Sequence, residues 1–367
     1  MGSASVFRNI VALTCVAYGL SRSTLDKGSA RIVLLTWNLA DGFPDGAEIR
    51  QAMQFALHGL PDDSSSLPEF IVIGLQEANL PEQRIAQWVR DAINDHYFKA
   101  RHTRYEVVGA AASRWGGWIP RRFQEKGHFL SGIVVLRRES SKVSPRMTAK
   151  TSYCRRWSRG EKAITLVTLT AGPRRFCFLS AHLPSATSDA RLACLQHGFQ
   201  HDELGQLWDA CDTRFMIGDF NSRTGRTAAA HVFDIADRRP SWDALVARDE
   251  MTHELTGKVA HMRGLTGTAG LHRPTYKMLR HDSSVCLTAS TCVDVQRFLA
   301  VHRWDVPHAD GNCGEDRICY DPTRPVSWTD QILFDPDRAN LEFVAAVHGV
   351  HTSDHLPLAG RFTVDLD

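Results

Sequence analysis

The chain has 367 residues, of which 43% are hydrophobic and 23% charged, and its formal net charge is +2. This is ordinary globular usage with enough apolar material for a large core, which excludes disordered and fibrous classes. The near-neutral balance also excludes a global basic field for gripping nucleic acid, so an anionic ligand must be held by local Arg and Lys.

In chain order, the first feature is the uncharged run Ile10 to Leu20, preceded by Arg8. It has the length of a signal-peptide core and is too short to span a bilayer comfortably, with Ala17-Tyr18-Gly19 as a small-residue cleavage site. A peripheral strand or helix packed on the domain is the other reading. The first implies a secreted or endomembrane protein, the second a cytoplasmic one with peripheral membrane association. Val6 stands where a myristoylation signal needs Ser or Thr, so that signal is not met.

Ile32 to Asn38 is a strand pattern ending in an amide, followed by a loop from Asp41 to Gly46 and an expected helix from Ala47 to about Leu60. Phe70 to Glu77 is a second apolar strand that delivers Gln76 and Glu77, and Pro81 to Phe98 has helical spacing. Further strands are expected at Tyr105–Ala110 and Gly132–Arg137, separated by the basic aromatic stretch Trp115 to Arg122. That stretch is either a membrane- or polyanion-touching loop or an exposed loop with snorkelling arginines. Lys162–Leu169 and Arg175–Leu183 alternate as a hairpin that carries His182 to its end. A helix is expected over Ala190–Ala210, then the strand ending in Gly218-Asp219-Phe220-Asn221, then a helix over Ser241–Leu255. The segment after Lys277 has no clear period; strands return at Val326–Phe334 and Leu358–Val364. Alternating strands and helices with hairpins imply an α/β fold with mixed sheets.

Nine cysteines are present; without a leader carrying Cys15 eight remain, an even number that suits an oxidising compartment. Cys286, Cys292, Cys313 and Cys319 cluster in one segment open to disulfide clipping, whereas Cys177, Cys194 and Cys211 lie in apolar stretches and read as free buried thiols.

The strand ends collect Asn38, Glu77, His182, Asp219 with Asn221, Asp330, and Asp354 with His355. Singly, each has a plain structural role as a cap or a satisfied polar group. Together they are carboxylates and amides without thiolates, which favour a hard cation such as magnesium or manganese. Two imidazoles, a metal and a carboxylate base are what in-line attack of water on phosphorus requires. A nucleophile elbow, a Gly-rich phosphate loop and an activated-cysteine motif are all missing from the sequence, which disfavours a covalent intermediate.

Trp37-Asn38, Gln76-Glu77, Ser180-Ala181-His182-Leu183, Gly218-Asp219-Phe220-Asn221 and Ser353-Asp354-His355 resemble the motifs of the endonuclease/exonuclease/phosphatase superfamily. The resemblance implies a DNase I-like four-layered α/β sandwich of two packed mixed sheets. It covers 31–367 as one catalytic domain, with 1–30 as leader and an insertion at about 278–323. Pro274-Thr275-Tyr276-Lys277 and the segment Pro325 to Leu333 are similar to signatures of inositol polyphosphate 5-phosphatases. That implies a phosphomonoesterase acting on a phosphoinositide or a soluble inositol phosphate, expected as a monomer.

By the same resemblance, Glu77, Asn38 and Asp354 hold Mg2+ or Mn2+, Asp219 activates water and Asn221 positions it. His182 and His355 stabilise the transition state, Asp330 orients His355, and Tyr276, Lys277, Arg324 and Lys162 bind substrate. Gln331 stands where the family has Arg and Ser222 where it has Tyr. A phosphodiesterase of the same superfamily, either a nuclease or sphingomyelinase-like, and a non-catalytic headgroup binder are the alternatives.

Overall fold

The computed structural model describes residues 28–366 except 43, 58–59, 61–65, 96–102, 115–127, 155–161, 202, 225–245, 252–254, 273, 277–291, 295–316, 320–326, 348–349 and 351. The run Ile10–Leu20, the basic aromatic stretch Trp115–Arg122, Lys277, Arg324, Cys286 and Cys313 therefore lie outside the described residues, as does much of the helix expected over Ser241–Leu255.

The first half of the chain forms β1 (Ser29–Asn38), α1 (Gly46–Ala56), β2 (Phe70–Pro81), α2 (Glu82–Ile93), β3 (Tyr105–Arg114) and β4 (His128–Arg138). Next come β5 (Arg146–Tyr153), β6 (Ala163–Ala171), β7 (Arg174–His182), α3 (Ser188–His201), α4 (Leu204–Asp209) and β8 (Thr213–Asp219). The remainder supplies β9 (Thr266–Gly267), β10 (Cys292–Asp294), β11 (Arg317–Cys319), β12 (Asp330–Phe334), β13 (Ala339–Ala346) and β14 (Leu358–Asp365).

One sheet runs β13-β14-β1-β2-β4-β3 and the other β5-β6-β7-β8-β12-β9. The pairs β1/β2 and β7/β8 are parallel, and the remaining pairs in both sheets are antiparallel. The expected mixed sheets and four-layered sandwich are what the chain forms. Within the insertion, β10 and β11 make a separate antiparallel ribbon that sets Cys292 opposite Cys319.

The strands read as unbroken apolar runs because both faces are covered. Ile32, Leu34, Phe70 and Val72 point to Phe176, Phe178, Phe215 and Ile217 between the sheets. Their neighbours Val33, Leu35, Ile71 and Ile73 pack under α1 and α2 with Met53, Phe55, Ile85 and Val89. On the other side, Leu166, Leu179 and Met216 pack with Leu195, Phe199 and Trp208 of α3 and α4. Period-two alternation thus sends each strand's residues into two cores at once.

Three expectations are corrected. The helix foreseen over Ala190–Ala210 is two helices, because Glu203 between them takes φ +59°. Strands β5 and β13 fall where no strand was foreseen; β5 is largely polar and half-exposed at a sheet edge, so it lacks an apolar period. Cys177, Cys194 and Cys211 are not free thiols: Cys154–Cys194 and Cys177–Cys211 are disulfides, with Cα separations of 4.7 and 5.8 Å. The partners are 40 and 34 residues apart, a connectivity that spacing alone does not reveal.

At the edge of the first sheet, Glu342 is the extra residue of a bulge in β13. Its carboxylate accepts from Arg31 Nε and Arg361 Nε, both at 2.8 Å, and from the Thr363 hydroxyl, tying β13, β14 and β1 together. Burial alone would raise the Glu342 carboxyl, but hydrogen bonds from Arg31 and Thr363 and the charges of Arg31 and Arg361 hold it below the ordinary value of 4.5. A group depressed in this way stabilises the fold above its unfolded pKa, and the contribution is lost as pH falls through the lower folded value. Glu342→Gln is therefore expected to cost about 2 kcal/mol at neutral pH. Urea melts at a series of pH values should show the difference between variant and parent shrinking below the ordinary carboxylate range.

Candidate active site

The hydrogen-bond register aligns Ala163, His182, Asp219 and Asp330 in one row across β6, β7, β8 and β12. In the other sheet Asn38 stands opposite Gln76 across β1 and β2. The two rims meet where Asn38 Nδ2 donates to Asp219 Oδ2 at 2.9 Å. Close approach of β8 to β7 requires Gly218, at φ +141°, because a Cβ there would lie 2.0 Å from the Ala181 carbonyl oxygen.

Asp219 is 2% exposed. Its Oδ1 accepts from the Asn221 backbone N–H at 2.8 Å, and its Oδ2 from the Asn221 carboxamide at 3.1 Å. That same Nδ2 also donates to the Leu183 carbonyl at 2.9 Å. His182 Nε2 lies 3.5 Å from Asp219 Oδ2 and 3.3 Å from Glu77 Oε1, and the Lys162 ammonium contacts His182 and stands 3.7 Å from Glu77. Burial pushes the Asp219 carboxyl up, but the His182 hydrogen bond and the charges of His355, His182 and Lys162 win and hold it well below the carboxylate range. Glu77 and Asn221 both take left-handed backbone, φ +52° and +50°, which concentrates strain at this rim.

Asp330 is fully buried, and its Oδ2 accepts from Thr275 Oγ1 at 2.7 Å, Thr329 Oγ1 at 3.0 Å and His355 Nδ1 at 2.8 Å. Burial, with the charge of Asp219, raises the Asp330 carboxyl against the pull of His355 and Thr275. Burial pushes the His355 imidazole down, but the charge and hydrogen bond of Asp330, helped by Asp219 and Asp354, outweigh it and raise the pKa to about 9. The pair is an imidazolium–carboxylate, with His355 Nδ1 committed to Asp330.

The loop carrying Asp354 and His355 is tied to the end of β1. Ser353 Oγ donates to the Asn38 carbonyl at 2.6 Å, and Trp37 Nε1 donates to the His355 carbonyl at 3.2 Å. Glu48, which closes a capping box with Asp45 at the start of α1, also accepts from the Thr352 backbone N–H at 2.9 Å. Asp354 Oδ1 lies 4.0 Å from His355 Nε2.

The structure thus brings together Asn38, Glu77, Lys162, His182, Asp219, Asn221, Asp330, Asp354 and His355. Tyr276 joins them, its ring 4.5 Å from that of His355. Sequence reasoning missed Thr275, which orients Asp330, and Arg223. The Arg223 guanidinium lies 4.9 Å over the Tyr276 ring and donates to Asn221 Oδ1 at 3.0 Å. Thr275 belongs to the same Pro-Thr-Tyr-Lys stretch as Tyr276, and Arg223 follows the Gly-Asp-Phe-Asn motif by two positions, so adjacency was the available signal.

The departures Gln331 and Ser222 turn out to be partners. Gln331 Nε2 lies 3.1 Å from Ser222 Oγ and from both carboxylate oxygens of the fully buried Asp249, and Ser222 Oγ donates to the Trp328 carbonyl at 2.7 Å. The network joins the loop after β8 to the start of β12, behind Asn221 and Asp330.

Among the described residues, Asp219, Asp330 and His355 bring ligand atoms within 4.8 Å of one another, near enough to share a metal ion.

Two mixed sheets packed face to face, with carboxylates, amides and imidazoles meeting at one rim, define the sandwich class shared by nucleases and phosphatases. The model of endonuclease/exonuclease/phosphatase family 2 matches residues 35–292, and the chain belongs to that family. Its fold is similar to the inositol polyphosphate 5-phosphatase domain of SPsynaptojanin, solved with inositol (1,4)-bisphosphate and calcium ion. Identity is 16% and the TM-score 0.63, over 92% of this chain and 85% of that one. It is also similar to Cimex nitrophorin in its ferrous NO complex, at 17% identity and TM-score 0.54, over 92% and 99%. Proteins with such different bound groups share the architecture, so the fold alone does not fix chemistry. No curated protein sequence matches the chain.

Asp249→Ala is expected to cost about 1–3 kcal/mol, because it strips acceptors from two buried donors. Differential scanning calorimetry should show the loss, with Asp249→Asn retaining part of it.

Proposed function

We propose that the protein is a divalent-cation-dependent phosphomonoesterase that removes the 5-phosphate from a phosphoinositide, such as phosphatidylinositol 4,5-bisphosphate, or from a soluble inositol polyphosphate. The observation that carries this reading is Tyr276, from the phosphatase-like segment, packed on the His355 imidazolium beside Asp219.

Asp219 is held ionised and is a weak base, so its work is to align the attacking water, with Asn221 fixing its carboxylate. His355, oriented by Asp330 through Nδ1, presents Nε2 to the phosphoryl group, and Lys162, in contact with His182, adds positive charge beside Glu77. Glu77, Asn38 and Asp354 fit a magnesium ion, with manganese as substitute. All three are oxygen donors, Glu77 is 32% exposed, and Lys162 and His182 already gather on its carboxylate. A bound ion would neutralise charge on the phosphoryl oxygens and the leaving oxygen. Tyr276, Lys277 and Arg324 grip a neighbouring phosphate, and a lipid substrate is met by peripheral membrane contact.

The two disulfides support an oxidising compartment. They also favour a second reading, an exported phosphodiesterase of the nuclease or sphingomyelinase type.

Phosphate release from phosphatidylinositol 4,5-bisphosphate with and without magnesium, run beside plasmid nicking, separates these readings. Metal-dependent release without nicking supports the monoesterase. Nicking supports the diesterase, and headgroup binding without release leaves a non-catalytic binder. Asp219→Asn and His355→Ala are each expected to lower turnover by on the order of 10³-fold with an unchanged circular dichroism spectrum. Retained activity in either would sink the assignment.

A further inference from the structure

Edge strand β5 has little burial to hold it: of its 8 residues only Ser152 is buried, and Tyr153 is 40% exposed. It nevertheless runs into Cys154, which is 4% exposed and bonded through its sulfur to Cys194 of α3. Cys154 has a second attachment. Its backbone N–H donates to the Lys162 carbonyl at 3.1 Å, one step beyond the pairing of Tyr153 with Ala163 that ends the β5/β6 ladder. Lys162 therefore enters β6 with its backbone bonded to a residue that α3 holds covalently.

The side chain of Lys162 makes that backbone matter. Its ammonium contacts His182 and stands 3.7 Å from Glu77 Oε1, at the end of a flexible four-carbon stem whose reach is set by where it starts. The same helix also grips the exit of β7. Arg191, one turn before Cys194 and 2% exposed, donates from Nη1 to the Pro184 carbonyl at 3.2 Å, just beyond His182. Close packing leaves α3 little freedom: a Cβ on Gly198 would lie 3.0 Å from Ile164 Cδ1 and 3.6 Å from Ser152 Oγ. The second disulfide sits elsewhere. Cys177 lies opposite Thr168 and Arg214 in the ladders, five residues before His182, which places it about 16 Å from the rim.

We infer that the Cys154–Cys194 disulfide is a positioning element of the site: it fixes the backbone from which Lys162 carries its charge to His182 and Glu77. Its effect on turnover rests on the phosphatase reading, but the placement of Lys162 does not. Neither cysteine touches the reacting groups, so the disulfide acts through Lys162 alone, whereas Cys177–Cys211 contributes to stability without bearing on the site.

The test compares the full chain with Cys154→Ala/Cys194→Ala and, as control, Cys177→Ala/Cys211→Ala, at a temperature where calorimetry shows all of them folded. Cys154→Val/Cys194→Ala refills the space should the alanine pair not fold. Labelling of amines with acetic anhydride, read at Lys162 by mass spectrometry, is expected to rise about 5-fold in the first pair and to stay at the parent level in the control. Phosphate release from inositol 1,4,5-trisphosphate should show kcat/KM about 10-fold lower in the first pair, mainly through KM, and unchanged in the control. Lys162→Met should lower kcat/KM about 10-fold in the parent but under about 3-fold in Cys154→Ala/Cys194→Ala, because the charge it removes is already displaced there. Additive losses, a fall in kcat alone, unchanged labelling, or labelling that rises equally in both disulfide variants would overturn the inference. If labelling rises only in the first pair and no form of the chain releases phosphate, the phosphatase reading fails and the positioning of Lys162 stands.

Discussion

Two carboxylates, Asp219 and Asp330, stand directly opposite each other on neighbouring strands, 2% and 0% exposed. Like charges at such positions repel, and far more strongly away from water. The arrangement persists because positive charge is brought to it, with Lys162 beside His182 on one flank and the His355 imidazolium on the other. Asn38 reaches across from the other sheet to donate into the same pair. Charge balance at this rim is therefore a condition of folding as well as of chemistry. That links the strained backbone of Glu77 and Asn221, the tethered Ser353 loop and the hydroxyls of Thr275 and Thr329 to one requirement.

Much of this is legible in the sequence alone. Apolar strands that end in Asn38, His182 and Asp219, and the run of β2 that reaches Glu77 at a break in its ladder, deliver those groups to one rim because a buried strand stops or breaks where its backbone meets water, and polar residues mark the place. What was not legible is equally physical. Polar edge strand β5 buries too little to show a period. A disulfide joins residues that the fold, and not the spacing, brings together. Arg223 offered only its adjacency to the Gly-Asp-Phe-Asn motif, since its contact with the Tyr276 ring spans some fifty residues of sequence.

Gln331 and Ser222 illustrate how a departure from a family pattern is to be judged. Taken separately, each removes a larger or charged side chain beside a candidate site residue. Placed in the structure, both bind the same buried Asp249, and the Gln331 carboxamide spans both of its oxygens. The cost is visible as well: Gln331 Oε1 is buried and accepts no hydrogen bond among the described residues. The pair is a rebuilt support behind Asn221 and Asp330, so the two changes alone do not argue against an intact site.

The two disulfides lie on the same side of the molecule. Cys154–Cys194 staples the end of β5 to α3, and Cys177–Cys211 staples β7 to the end of α4. Among the described residues, the layer of α1 and α2 has no such covalent tie. Peeling α1 and α2 from the first sheet would therefore break no covalent tie among the described residues, whereas lifting α3 or α4 from the second sheet is restrained by one. Because Glu48 at the start of α1 holds the loop of Asp354 and His355, that opening would slacken one wall of the site while the row of His182 and Asp219 stayed in place. In amide exchange, the two walls of a single site would then report different lifetimes.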